Sequence, residues 1–105
     1  MFVEEYTLVN SVRDNHGDTP RRSLLAAAQR ARILLLDAVG TALEGRDIPA
    51  LYYALVDWRT SRHLPMIMTT SLAIPAFTAR LGPQAAQRLR TVNCQTFTIG
   101  GSNPS

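Results

Sequence analysis

Ile33-Leu34-Leu35-Leu36-Asp37-Ala38-Val39-Gly40 is an apolar run that ends on one carboxylate, and Met66-Ile67-Met68-Thr69-Thr70-Ser71 is a second run that ends on hydroxyls. Both read as buried strands; the first has no period-two alternation, which argues for burial on both faces, as in a parallel sheet flanked by helices. Between them, Gly40 and Gly45 loosen the chain, and Asp47 is placed to cap a helix with Pro49 near its start. Leu51, Tyr52, Leu55, Val56 and Trp58 give that helix a broad apolar face ending near Arg62, and Pro65 closes the break before the second strand. Strand, helix and strand in this order form a βαβ crossover, which sets the two strands parallel in one sheet. The expected fold class is α/β.

Upstream, Phe2-Val3 reads as the end of a strand. Tyr6, Leu8, Val9 and Val12 follow at near-helical spacing, and Asn15-His16-Gly17-Asp18-Thr19-Pro20 is a loop dense in turn formers. Thr19 is placed to cap the next helix with Pro20 in its first turn, and Leu24, Leu25, Ala28 and Ala31 mark its apolar face to about Arg30. Downstream, Ala76, Phe77 and Leu81 follow Pro75. Gly82-Pro83 then leads into a helix carrying Ala85, Ala86, Leu89 and Val92, and Thr96-Phe97-Thr98-Ile99 reads as a short last strand. Residues 100–105 are expected to form a frayed tail.

The 105 residues, 46% of them hydrophobic, fit one small domain with a single core. Net charge is +3, and all eleven basic residues are arginine. That bias suits bidentate phosphate contacts, and coding bias explains it equally simply. The lone Cys94 excludes an internal disulfide, and the acidic start lacks the layout of a secretory signal. No apolar run approaches the roughly 20 residues that span a membrane. The expectation is a cytoplasmic protein without a membrane segment.

A carboxylate at the end of a buried strand is where P-loop ATPases hold magnesium, and Asp37 stands there. The phosphate-binding loop G-x-x-x-x-G-K-[ST] needs a lysine, and this chain has none. His16 and His63 lie far apart and, with one cysteine, make no recognisable metal set; Gly100-Gly101 precedes no helix that would cradle a phosphate.

Taken in order, the Ile33 to Gly40 run, the Leu51 to Arg59 helix, Leu64-Pro65-Met66-Ile67-Met68-Thr69-Thr70-Ser71-Leu72, Arg80-Leu81-Gly82 and Gln87-Arg88-Leu89 resemble the AAA+ ATPases that load replicative helicases and their IstB-like transposition-helper relatives. Phe2-Val3 and the helix after it resemble the family's second strand and its helix, so the likeness covers nearly the whole chain. The resemblance implies a single partial domain over residues 1–105, a three-layer αβα remnant of a P-loop NTPase core with a mainly parallel sheet. It implies a Walker B strand ending on Asp37, which binds the nucleotide's magnesium through water. Thr70 and Ser71 fall at the sensor 1 corner, and Arg88 takes the place of the arginine finger that reaches a neighbouring subunit's ATP. ATP and magnesium are the implied cofactors. The implied partners are an intact AAA+ homologue or a replicative helicase, with DNA as a partner of the complex.

The chain departs from that pattern at several positions. Ala38 stands where the family has a second acid, Ser71 where it has asparagine, and Gln84 where an arginine is common. The tail lacks the arginine of sensor 2, and the P-loop strand is missing before Phe2. The expected function is an ATP-binding-type protein, truncated or degenerate, that does not hydrolyse ATP by itself. The alternative is a non-catalytic module that binds an intact relative or helicase. Read without the family, Asp37 is a strand-end acid bonded to backbone N–H groups, Thr70 and Ser71 satisfy a loop, and Arg88 is a solvated helix residue. Tyr52, Tyr53 and Trp58 read as core or helix-face residues. Without the P-loop strand, the Met66 to Thr70 strand is expected to lose a neighbour on one side, leaving three outcomes: Thr96 to Ile99 pairs there directly, a partner chain fills the gap, or the isolated chain folds poorly.

Overall fold

A computed structural model describes residues 1–14 and 23–90. The elements are β1 (Phe2–Glu4), α1 (Glu5–Arg13), α2 (Ser23–Arg30), β2 (Leu34–Val39), α3 (Asp47–Ser61), β3 (Met66–Thr70), α4 (Ile74–Leu81) and α5 (Pro83–Arg90). The loop at residues 15–20 with its Thr19 cap, Val92, Cys94, the Thr96 to Ile99 strand and the 100–105 tail lie outside the described residues.

The strands form a parallel sheet in the order β1-β2-β3. The expected crossover is present, with α3 carrying the chain from β2 to β3. Each step moves in the same direction across the sheet, and right-handed crossovers taken one way set their helices on one face. Val3, Leu34 and Leu36 point into that helical layer, where they join Leu8, Val9, Ile48, Leu51, Tyr52, Leu55, Val56 and Leu81 in one core, with Met66 and Met68 packed against it. α2 and α5 flank α3, and α4 packs against both α3 and α5.

The other face carries Phe2, Leu35 and Ile67 side by side in register across the three strands. Phe2 is 61% exposed and Ile67 58% exposed. The described residues therefore make two layers, and the third layer implied by the resemblance is not among them. The β2 run, read as buried on both faces, is fully buried at Leu34 and Leu36 and only half-buried at Leu35. β3 stands at the edge of the described sheet, and the Thr96 to Ile99 segment expected as a possible partner lies outside the described residues.

Local signals shifted some boundaries. β2 runs past Asp37 to Val39 instead of ending there, because the ladder slips: Leu36 pairs with Met68, and Val39 with Thr70. Two residues of β2, Asp37 and Ala38, thus oppose the single Thr69, and Ala38 takes a left-handed φ of 60° to fit. Asp47 is the first helical residue of α3 rather than its cap, a position held by Arg46. Its carboxylate is gripped instead by Arg13, through Nε at 2.6 Å and Nη2 at 2.9 Å. Tyr6, expected on the apolar face of α1, is exposed, and Glu5 takes the buried place. Gly82 joins α4 to α5 at φ 89°, where a Cβ would come within 2.8 Å of Pro49, so the turn packs against the start of α3 through the absence of a side chain.

Candidate functional site

The carboxyl ends of the three parallel strands form one rim, and Asp37, Thr69, Thr70 and Ser71 all lie on it. Asp37 and the Thr70 corner therefore emerge from neighbouring strands, as the resemblance requires. Their bonding differs from that pattern. The partner of Asp37 is Thr69, whose hydroxyl donates to Asp37 Oδ1 and accepts from the Ala38 N–H at 2.9 Å. Thr70 turns its hydroxyl to the Val39 carbonyl at 2.7 Å and accepts from the Leu72 N–H at 3.0 Å. Thr70 thus closes the end of the β2–β3 ladder, and Ser71 beyond it is exposed. Thr69 is the residue that sequence reasoning missed; the Leu36–Met68 register carries on to set Asp37 beside Thr69, and the bulge then puts Val39 rather than Ala38 opposite Thr70.

Behind this rim lies a buried polar group built by four segments. Glu5, fully buried, accepts through Oε1 from the N–H groups of Gly40 and Ala42, both at 3.0 Å, and from Arg80 Nη2 at 2.8 Å. Its Oε2 accepts from the Tyr52 hydroxyl at 2.7 Å and from Arg80 Nε at 3.1 Å. Arg80 also donates to the Ala42 carbonyl at 2.6 Å. Burial alone would raise the Glu5 pKa, but the hydrogen bonds from Arg80, Tyr52, Ala42 and Gly40 outweigh it and hold the carboxyl below its ordinary value. Burial and the neighbouring Glu5 charge push the Tyr52 hydroxyl well above its usual range, so it stays a donor. A cleft of about 700 Å³ opens beside this group, lined by Gly40, Ile48, Pro49, Leu72, Ala76 and Arg80 among others. The sequence held a signal: Glu5 falls in helical register with Leu8, Val9 and Val12, and a charge on an apolar stripe must find buried partners.

Arg88 lies elsewhere. It projects from α5 toward α3, where Nη2 meets Asp57 Oδ1 at 2.8 Å. A hydrogen bond with Tyr53 and the charge of Asp57 hold its pKa above the ordinary arginine value. Arg88 lines a shallow hollow with Tyr53, Pro83, Gln84 and Gln87, which shares no residue with the cleft at the rim. The structure brings Asp37 and Thr70 together and sets Arg88 apart from them.

No protein-family model and no curated protein matches this chain.

Asp37 fits a water-mediated magnesium contact, since Oδ2 accepts no hydrogen bond from the described residues and the side chain is half-buried at the rim. A magnesium-bound nucleotide also needs donors around its phosphates and a second acid to orient water. The chain has no lysine, and Ala38 stands beside Asp37. The residues fit part of such a site only, and no catalytic step follows from them. Among the described residues no helix is long and apolar enough to cross a membrane. His63 sits in the left-handed turn that ends α3.

Proposed function

We propose that this chain is a partial AAA+-type nucleotide-binding domain related to helicase loaders and IstB-like ATPases, which does not hydrolyse ATP by itself. One observation carries this reading: a carboxylate and a hydroxyl corner stand on neighbouring parallel strands at the same rim, Asp37 on β2 and Thr70 at the end of β3. In open α/β sheets, the carboxyl ends of the strands are where ligands bind. Phosphoryl transfer depends on positioned charge, and this chain offers one acid where the family has two. The proposed role in a parent assembly is ATP-dependent remodelling on DNA in the cytoplasm, with Asp37 on the magnesium side and Arg88 presented to a neighbouring subunit's nucleotide. Purified protein with Mg-ATP tests the reading. The expected result is no turnover and no binding tighter than micromolar; turnover that Asp37→Ala leaves intact would overturn it.

A second reading, a non-catalytic interaction module, is favoured by the exposed Phe2 and Ile67 on either side of the half-buried Leu35, and by the place of β3 at the edge of the sheet among the described residues. A subunit lacking one face can join a head-to-tail ring and stop its growth. The partner proposed is an intact AAA+ relative or a replicative helicase, with Arg88 offered across the interface. Co-expression with an intact relative decides it. Co-purification and a change in partner ATPase on Arg88→Ala are expected, and the absence of both would count against it.

A further inference from the structure

The sheet face turned away from the described helices differs in charge from end to end. At its centre Phe2, Leu35 and Ile67 stand in register across the three strands, Phe2 and Ile67 exposed and Leu35 half-buried. Two residues closer to the carboxyl rim on the same face, Glu4 of β1 pairs in register with Asp37 of β2. Toward the amino end, Arg32 and Ile33 are exposed just before β2 begins.

Like charges directly opposite one another on neighbouring strands repel. Among the described residues, no cation pairs with Glu4 or Asp37, and the one hydrogen bond to either side chain comes from the neutral Thr69 hydroxyl. The Arg32 guanidinium has neither an ion pair nor a hydrogen bond among them. The face therefore presents two adjacent acids at one end, a cation at the other and an apolar row between them. Turned end for end, such a face is complementary to itself.

We propose that this face is the interface of a homodimer, in which the sheets of two copies stack face to face with their strands antiparallel. A two-fold axis crossing the strands at Leu35 lays Phe2, Leu35 and Ile67 of one copy on the same residues of the other. Asp37 lies two residues from that level and Arg32 three residues on the other side, about 7 and about 10 Å along the strand direction, so the long arginine side chain of one copy reaches the Glu4 and Asp37 pair of the other. A planar guanidinium suits adjacent carboxylates. A two-fold axis along the strands would instead lay acids on acids, which like-charge repulsion opposes. A three-stranded face is smaller than the roughly 800 Å² per partner of a standard interface, so the dimer is expected to dissociate on dilution. The proposal does not rest on the nucleotide-binding reading, and it commits to a second copy the apolar row that the interaction-module reading offers to an intact relative.

Sedimentation equilibrium of the full chain from about 5 to about 500 µM tests it, and a monomer–dimer equilibrium is expected within that range. Ile67→Arg sets a charge against its own image across the axis and is expected to weaken dimerisation at least about tenfold. Glu4→Arg and Arg32→Glu alter no described contact; each brings like charges together twice per dimer and is expected to weaken it by a similar factor. The two combined exchange the charges and are expected to dimerise more tightly than either alone. Should Ile67→Arg fail to fold, this exchange decides the matter. A chain that stays monomeric, an Ile67→Arg variant that dimerises as well as the native chain, or a combined variant no tighter than the single ones would each overturn the proposal. A monomer that Ile67→Arg destabilises in urea would assign the face to residues 91–105 of the same chain, and a monomer that captures an intact AAA+ relative would return it to the interaction-module reading; both outcomes overturn the homodimer.

Discussion

Thr69 makes two hydrogen bonds with one hydroxyl, accepting from Ala38 N–H and donating to Asp37. That bonding is what lets β2 carry an extra residue, because the N–H that the bulge removes from the ladder finds an acceptor in a side chain. Thr69→Val keeps the shape and removes both bonds; it is expected to cost about 1–3 kcal/mol, measured by urea denaturation. Ala38 is held at φ 60°, where a Cβ is unfavourable by roughly 1–2 kcal/mol. Ala38→Gly relieves that strain, and the net gain, after glycine's larger entropy loss, is expected to be about 0.5–1 kcal/mol in the same assay. The opposite signs of two substitutions at touching positions distinguish a strained bulge from an ordinary strand.

At the scale of elements, Arg59 joins three of them. It occupies the apolar stripe of α3 that runs through Ile48, Leu51, Tyr52, Leu55 and Val56, and it is fully buried. From there it donates to the end of α2 and, through Nη2, to the Pro65 carbonyl just before β3. Burial lowers its pKa, yet arginine stays charged because its ordinary value is so high. Lysine carries the same charge but cannot present a planar fork to carbonyls in two directions. Arg59→Lys is therefore expected to destabilise the protein by about 2–4 kcal/mol, a loss of paired carbonyls rather than of charge. Thermal unfolding followed by circular dichroism would measure it, and a change under about 0.5 kcal/mol would contradict this account.

Across the whole molecule, the Glu5 group ties α1, α3, α4 and the loop after β2 together at the rim. Its carboxyl is held below the ordinary value of 4.5 in the fold, so the stabilisation is complete above that pH and is lost as pH falls through the lower folded value. The unfolding midpoint is expected to be flat above about pH 5 and to drop below pH 4.5 in the native chain. Glu5→Gln leaves Arg80 buried without its counter-charge and is expected to cost about 3–5 kcal/mol at pH 7. It should also flatten the acid limb, a second readout that a simple packing defect would not produce.

The α/β class, the crossover through α3 and the parallel pairing of β2 with β3 were legible in the order of apolar runs and turn residues. Those signals are local, and connection rules convert them into topology. The placing of Asp37 and Thr70 on one rim followed from the same rules. What only the tertiary structure decided was which polar groups meet: Thr69 beside Asp37, Glu5 beside Arg80 across 75 positions of chain, and Arg59 under the end of α2. It also decided that, among the described residues, one sheet face carries the helices while Phe2 and Ile67 face outward. A charged residue on an apolar stripe shows that it needs partners, but the partner is fixed by how separate elements pack, and periodicity along one element carries no information about that.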